Sequence, residues 1–304
     1  MNPEKKNIEH SIRQQLLNIS KQRKEDFQFC LTRYALERFL YRLSKSSHVN
    51  KFVLKGALLL MSWTQKPYRP TRDLDLLGLG NPAPDILKNR VIEICLSEVA
   101  PDGLVFDTDS LIIEEIREEL LYEGHRIKMM AYLGKVRIPL QIDIAFGDAI
   151  SPNPETIKYP TLLELPPAYV LSYPKETVVA EKLQAAVALG IRNSRMKDFF
   201  DLFWLSRLFH FDSKTLVKAI QATFKRRTTV FPTQVPFPLT EGFASDPAKR
   251  TQWGAFLRKN DISHMPAEFE KVISELNSFL VLPLKYSMVE KIFDKVWQPG
   301  GPWE

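Results

Sequence analysis

The sequence has little of several features that would place it in a specialised class. Only two of its 304 residues are cysteine, Cys30 and Cys95, and they do not form a CxxC pair. A disulfide framework or a zinc site is therefore not expected, and we predict two buried, reduced thiols. The longest apolar run, Gly56 to Trp63, is far shorter than the roughly 20 residues that span a bilayer. The opening residues are too polar for a secretion signal, so we predict a cytoplasmic protein without a membrane segment.

The overall composition is that of an ordinary globular protein. Hydrophobic residues make up 44% and charged residues 26% of the chain, which excludes a disordered protein, and the length allows two domains. The net charge is +6 and the isoelectric point is near 9.1. Such a balance is compatible with a polyanionic partner such as nucleic acid, but it bears on association and not on chemistry.

The first 43 residues predict two helices with a basic face. Apolar residues recur at helical spacing from Ile8 to Leu43. The basic residues on the intervening positions are Arg13, Lys21, Arg23, Lys24, Arg33, Arg38 and Arg42. Such a face either binds nucleic acid or is simply solvated, and the second interpretation is the commoner one.

The stretch from Val53 to Leu79 contains the clearest chemical pattern. A short strand ends at Lys55-Gly56 and is followed by an apolar helix, so backbone N–H groups at the helix start could receive an anion such as phosphate. Farther on, Asp73 and Asp75 alternate with leucines, which predicts a strand with both carboxylates on one face. Two carboxylates placed in this way could hold a divalent cation.

A β-rich section then leads to a third carboxylate. The predicted strands are 104–106, 111–116, 124–133 and 136–146. In the last of them, Asp143 lies in the apolar segment IDIAF. A lone buried charge is costly, so Asp143 should have a cation or a set of hydrogen-bond donors beside it.

The proline-rich segment Pro152 to Pro174 predicts the boundary between two lobes. Beyond it, a helix from Lys175 to Leu189 carries Lys182 at its middle. The next helix carries Asp198 and Asp201, which share a face because they are three residues apart. Lys182 could bind phosphate, but a lysine within a helix more often pairs with a carboxylate or extends to solvent.

Four segments together resemble one known family. KGALLL, RPTRDLDLL, QIDIAFGD and EKLQAAVALGIRNSRMKDFFDLFWL are similar, in content and order, to motifs of the AbiEii/AbiGii toxin family of bacterial nucleotidyltransferases. The resemblance covers about residues 52–205. It implies an α+β fold in which a DNA-polymerase-β-like nucleotidyltransferase lobe with a mixed sheet precedes a helical lobe, with the site in the cleft between them. The domains expected are N-terminal helices over 1–50, the transferase lobe over 51–155 and the helical lobe over 170–304.

The same resemblance implies roles for eight residues. Asp73, Asp75 and Asp143 would bind Mg²⁺ or Mn²⁺ and act as catalytic carboxylates, together with Lys182 and Asp198. The residues that would contact the nucleotide are Lys55, Gly56, Arg72 and Lys182. One position departs from the family pattern, because Ala57 follows Gly56 where a glycine, serine or threonine is usual. Phosphate contact there must come from backbone N–H groups or from Lys55.

The function implied is transfer of a nucleoside monophosphate from a nucleoside triphosphate to an acceptor. The leading acceptor is tRNA, and the setting is the toxin of a toxin–antitoxin or abortive-infection system that is neutralised by a cognate antitoxin. The basic cluster Lys225 to Arg227 agrees with an RNA partner. Two alternatives stay open: transfer to a protein or small molecule, and a catalytically silent module that binds nucleotide or RNA.

Overall fold

The computed structural model describes residues 3–64, 69–118, 122–289 and 293–304. Within them the chain forms two compact units. The first comprises Met1–Gly147 with Glu155–Ser172, and the second comprises Asp148–Pro154 with Tyr173–Glu304. Across the described ranges, no helix combines the length and the apolarity needed to cross a membrane.

The first unit is built on a seven-stranded mixed sheet with strand order β3-β4-β5-β2-β1-β7-β6. The pairs β2–β5 and β1–β7 are parallel, and the other four are antiparallel. Its strands are β1 (Phe52–Lys55), β2 (Asp73–Gly78), β3 (Leu104–Glu118), β4 (Tyr122–Leu133), β5 (Val136–Phe146), β6 (Glu155–Lys158) and β7 (Tyr169–Ser172). Its helices are α1 (Pro3–Arg23), α2 (Phe27–Lys45), α3 (Gly56–Thr64) and α4 (Pro84–Cys95). The predicted α+β class with a mixed sheet is confirmed.

Alternation along the central strands sorts side chains between the two faces of this sheet. Leu74 and Leu76 of β2 are buried, as are Ile142 and Ile144 of β5, and α2 packs against β5. The residues between them are only partly buried. Because neighbouring residues of a strand point to opposite faces, the leucines and isoleucines form the core and the aspartates lie on the other side. The predicted strand at Asp73–Asp75 is confirmed.

The predicted basic face of the second helix is wrong. Arg33, Arg38 and Arg42 of α2 are buried, whereas Arg13, Lys21 and Arg23 of α1 are exposed. For Arg38 and Arg42, the reason is that each has a partner within the unit. Arg42 donates to both carboxylate oxygens of Asp102, at 2.6 and 3.0 Å, and Arg38 donates to the carbonyl of Pro166 at 2.8 Å. These guanidinium groups satisfy the core and do not offer a surface to nucleic acid.

The segment from Pro152 to Pro174 is more than the linker predicted. It carries β6 and β7, and β7 pairs with β1 inside the sheet. These two strands, ETIK and YVLS, contain no proline, so each can form its ladder between the proline positions. Two smaller differences also appear. Strand β3 is continuous through an irregularity between Asp107 and Ile112, and α4 ends at Cys95 although apolar spacing continues to Val99.

The second unit consists mainly of helices around an aromatic core. Its elements are α5 (Lys175–Leu189), α6 (Met196–Leu208), β8 (Phe211–Asp212), α7 (Ser213–Arg226), α8 (Glu241–Ala244), α9 (Pro247–Lys259), α10 (Phe269–Tyr286) and β9 (Val296–Trp297). The predicted limits of α5 are confirmed. Phe199 of α6, Phe243 of α8 and Phe269 of α10 contact one another, with ring centroids 5.5–6.1 Å apart. Aromatic rings therefore join helices that are distant in sequence.

The Arg42–Asp102 pair yields a stability prediction. The Arg42→Met variant leaves the buried Asp102 carboxylate without its cation, so we expect unfolding free energy to fall by about 3–5 kcal/mol. The double variant Arg42→Met/Asp102→Asn should lose clearly less. Lys21→Met, on the exposed side of α1, is the control and should change stability little. Urea denaturation followed by circular dichroism measures all three, and equal losses for the single and double variants would contradict this account.

Candidate active site

A row of charged residues crosses the sheet of the first unit. Lys55, Asp75, Asp143, Arg126 and Glu114 lie directly opposite one another on β1, β2, β5, β4 and β3. Asp75 and Asp143 are therefore neighbours of like charge, which is unfavourable in a cross-strand pair. A cationic residue follows on each side of the two carboxylates. The order of charges, plus, minus, minus, plus, minus, thus compensates the central pair.

Asp73 lies two residues before Asp75 on the same strand, and its partner on β5 is Gln141. Both aspartates are partly buried, between leucines that are fully buried. Asp73, Asp75 and Asp143 therefore occupy one face of two parallel strands that are hydrogen-bonded to each other.

Gly56 makes room for the Asp75 carboxylate. A Cβ atom added at Gly56 would overlap Oδ2 of Asp75, and the φ angle of Gly56 is +70°, a conformation that favours glycine. Gly56 is also the first residue of α3, whose N-terminal end carries partial positive charge. The helix start that was predicted to receive a phosphate thus already has an aspartate carboxylate beside it.

Asp143 has the donor set that its environment requires. Arg126 Nε donates to Oδ1 at 2.9 Å and Arg126 Nη2 donates to Oδ2 at 2.8 Å, so the ion pair is bidentate. The amide of Gln141 lies 3.4 Å from Oδ2. Hydrogen bonding to Asp143, together with the charges of Asp143, Asp73 and Glu114, raises the pKa of the Arg126 guanidinium, so it stays charged.

The carboxylates have the right chemistry for Mg²⁺ or Mn²⁺, which prefer oxygen ligands. They are not assembled as a three-ligand set. Among the residues that the structure describes, no group of three or more histidine, cysteine, aspartate or glutamate side chains is arranged to hold a metal ion. Both oxygens of Asp143 accept bonds from Arg126. Asp73 and Asp75, on one face of β2, are the other two candidate ligands.

Arg72, predicted to contact the nucleotide, lies immediately before β2 and is largely exposed. Its guanidinium is 3.8 Å from Asp26, the residue that caps α2. Both side chains are open to solvent, so this pair holds Arg72 only weakly.

Lys182 and Asp198 form part of a buried charge cluster in the second unit. Lys182 Nζ lies 2.6 Å from Asp198 and 2.9 Å from Asp201, and Arg195 Nε lies 2.7 Å from the other oxygen of Asp198. Asp201 is fully buried and Asp198 nearly so. Asp198 and Asp201 share a helix face, as their spacing predicts, and both point to the lysine on α5. Lys182 therefore compensates two buried carboxylates.

The charges in this cluster set the ionisation of Asp198. Burial raises the pKa of the Asp198 carboxyl, but the charges of Lys182 and Arg195 and the hydrogen bond from Lys182 together outweigh it. The pKa therefore lies below its ordinary value. The folded protein thus keeps Asp198 ionised.

Part of the predicted basic cluster Lys225–Arg227 is also internal. Arg227 donates to the amide oxygen of Gln184 at 2.9 Å and pairs with Glu181 at 3.2 Å and Asp148 at 3.5 Å. Lys225 and Arg226 are exposed. Arg227 therefore contributes to the second unit's own structure, and the prediction that it belongs to an RNA-binding cluster is not supported by its contacts.

The order of the motifs, the mixed sheet and the row of carboxylates define a nucleotidyltransferase. The family model described as "Nucleotidyl transferase AbiEii toxin, Type IV TA system" matches residues 38–275, and the chain belongs to this family. The match extends beyond residues 52–205 in both directions, so it takes in the C-terminal part of α2 and the first part of α10.

Comparison with solved structures finds two similar proteins of Helicobacter pylori. JHP933 is 16% identical with a TM-score of 0.47, and the alignment covers 84% of this chain and 91% of JHP933. A protein described as a candidate nucleotidyltransferase is 15% identical with a TM-score of 0.45, over 85% of this chain and 96% of the other. No curated protein matches in a sequence comparison.

Three residues of these two clusters were missed by reasoning from sequence alone. Arg126 could have been found only by aligning β4 with β5, where the tight turn at Gly134-Lys135 fixes the register. Arg195 and Asp201 were noticed near Asp198, but nothing in the sequence assigned them to Lys182. Their helices must pack before that contact exists.

Gly56 gives a prediction with a matched control. Gly56→Ala introduces both backbone strain and overlap with Asp75, whereas Gly80→Ala introduces strain alone, because Gly80 has φ +95° and no neighbour within 4 Å of an added Cβ. We expect each to lose about 1–3 kcal/mol of stability from strain. Only Gly56→Ala should also lower the rate of nucleotidyl transfer, by about tenfold or more, because a misplaced catalytic group is costly. Equal transfer rates in the two variants would show that the Asp75 position is not critical.

Lys182 gives a second prediction, on stability. Lys182→Met leaves Asp198 and Asp201 buried without their shared cation, and we expect a loss of about 3–5 kcal/mol in unfolding free energy. Lys182→Met/Asp201→Asn should recover part of it. Because the pKa of Asp198 is lowered on folding, its contribution is present above the ordinary pKa of 3.8 and is lost as pH falls through the folded-state pKa. Acid titration of unfolding should show this loss in wild type and a smaller one in Lys182→Met. A Lys182→Met protein as stable as wild type would refute the buried-cluster account.

Proposed function

We propose that this nucleotidyltransferase toxin is metal-dependent and transfers a nucleoside monophosphate from a nucleoside triphosphate to RNA, with tRNA as the leading acceptor. The observation that carries the proposal is the pair Asp73 and Asp75 on one face of β2, with Gly56 making room for the Asp75 carboxylate. Nucleotidyl transfer depends mainly on positioning and charge neutralisation, and carboxylates on adjacent strand positions support both.

In the reaction, an acceptor hydroxyl oxygen forms a bond to the α-phosphorus, the bond from the α-phosphorus to the bridging oxygen breaks, and pyrophosphate leaves. A bound Mg²⁺ or Mn²⁺ would neutralise charge on the phosphates. Asp73 and Asp75 are the residues that would hold it. Lys55, opposite Asp75 on β1, is placed to contribute positive charge toward the nucleotide.

Asp143 is the candidate to accept the proton of the acceptor hydroxyl. Because both of its oxygens accept bonds from Arg126, it would have to give up one of these bonds to receive a proton. Lys182 and Asp198 enter the proposal as residues of the transferase, in which Asp198 orients the ammonium group of Lys182.

Two features support an RNA acceptor. The net charge of +6 favours a polyanion, and Arg13, Lys21 and Arg23 of α1 and the pair Lys225 and Arg226 are exposed. Family membership makes an antitoxin the expected partner, and the cytoplasm is the proposed site of action because nucleotides and RNA are available there. Transfer to a protein or small molecule, and binding without turnover, are the outcomes that would replace this proposal.

The test incubates purified protein with Mn²⁺ or Mg²⁺, each labelled nucleoside triphosphate and total RNA. Label should enter RNA of tRNA size, and chelation of the metal should abolish it. Asp73→Asn and Asp75→Asn should each reduce the rate by about a hundredfold or more, which corresponds to about 3 kcal/mol of transition-state stabilisation. Asp109→Asn, on an exposed position of β3, is the control and should transfer normally.

Other results would point elsewhere. Label in protein or in a small molecule, but not in RNA, would replace the acceptor. Triphosphate binding without any turnover would select the silent binding module. Unchanged activity in both aspartate variants would remove Asp73 and Asp75 from the mechanism.

A further inference from the structure

Arg126 is in an unusual position for a residue beside a metal site. Its guanidinium makes two parallel hydrogen bonds to Asp143, at 2.8 and 2.9 Å, and uses both oxygens of that carboxylate. Asp143 is directly opposite Asp75, so the cation sits at the end of a set of like charges and not in its middle. Arg126 therefore neutralises Asp143 from the side away from Asp73 and Asp75.

The pair is open enough to be exchanged. The side chains of Arg126 and Asp143 are 35% and 20% exposed, so water reaches both partners. An ion pair that water reaches on both sides contributes less than a buried pair. The buried pair Arg42–Asp102, at 7% and 4% exposure, contrasts with it in the same unit.

The negative charge of Asp75 and Asp143 also has to be compensated whether or not a metal ion is bound. Without compensation, Asp143 and Asp75 repel each other across the β2–β5 ladder. A divalent ion would satisfy this need when it is bound, and an arginine on the next strand satisfies it for Asp143 in the absence of the ion.

We propose that Arg126 is a built-in counter-ion of Asp143, which a divalent cation displaces when it binds at Asp73 and Asp75. Asp143 is then an exchangeable third ligand, and Arg126 lowers the affinity of the site for metal. This inference rests on the proposed metal dependence of the transferase.

The experiment measures Mn²⁺ binding to the full chain without nucleotide or RNA, by electron paramagnetic resonance of free Mn²⁺ and by calorimetry. Arg126→Gln removes the competitor, and we expect the dissociation constant to fall about three- to tenfold. Lys128→Gln is the matched control. Lys128 lies two residues away on the same strand, and its substitution removes the same positive charge. It pairs with Glu114 at 2.8 Å rather than with Asp143. It should change the constant by less than about twofold.

A cycle with Asp143→Asn separates competition from simple charge repulsion. In the Asp143→Asn background, Arg126→Gln should improve Mn²⁺ binding no more than Lys128→Gln does. Arg126→Lys keeps the charge without the two-pronged contact and should give an intermediate gain. It also serves if Arg126→Gln does not fold, which circular dichroism would reveal.

Three results would overturn the inference. They are an unchanged or weaker affinity in Arg126→Gln, an equal gain with and without the Asp143 carboxylate, and absence of Mn²⁺ binding in wild type and Arg126→Gln alike. Failure of the proposed function looks different. A protein that binds Mn²⁺ with the expected pattern but transfers no nucleotide would refute the transferase proposal and leave the counter-ion inference standing.

Discussion

The repulsion between Asp75 and Asp143 is the constraint on which the first unit's polar face depends. Two carboxylates on hydrogen-bonded neighbouring strands, about 5 Å apart, repel by about 3 kcal/mol at an effective dielectric of 20. The neighbouring features all reduce this cost. Lys55 flanks Asp75, Arg126 binds Asp143, and Gly56 lets the Asp75 carboxylate approach the start of α3. These carboxylates would repel a negatively charged substrate unless nearby positive charge offset them.

The second unit solves a related problem in a drier environment. Asp198 and Asp201 are buried, so solvent does not screen them, and their stability depends on Lys182 and Arg195 at close range. Removing one partner there leaves a buried charge without compensation. Water reaches both Arg126 and Asp143, so each of them can be solvated when the other is removed. The two clusters therefore differ in burial although both consist of ion-paired aspartates.

Local pattern was enough to predict part of this structure. The spacing of apolar residues fixed the limits of α5, and alternation placed Asp73 and Asp75 on a strand with Leu74 and Leu76 in the core. The sequence predicted a cation or hydrogen-bond donors beside Asp143. It did not identify Arg126, because this contact depends on the register of a neighbouring strand. The arginines of α2 were misjudged for the same reason. The partner of Arg42, Asp102, is 60 residues away, and a charge looks solvated until the group that buries it is known.

The position of β7 has a consequence for how the protein is made. β7 covers β1 in parallel, and it begins at residue 169, more than half-way along the chain. Until that residue has left the ribosome, the strand that leads into Gly56 is an open edge, available to other chains. On that edge, the strand beside Asp75 is thus covered only by a late segment. A toxin assembled in this order would not present a finished site while it is still being synthesised.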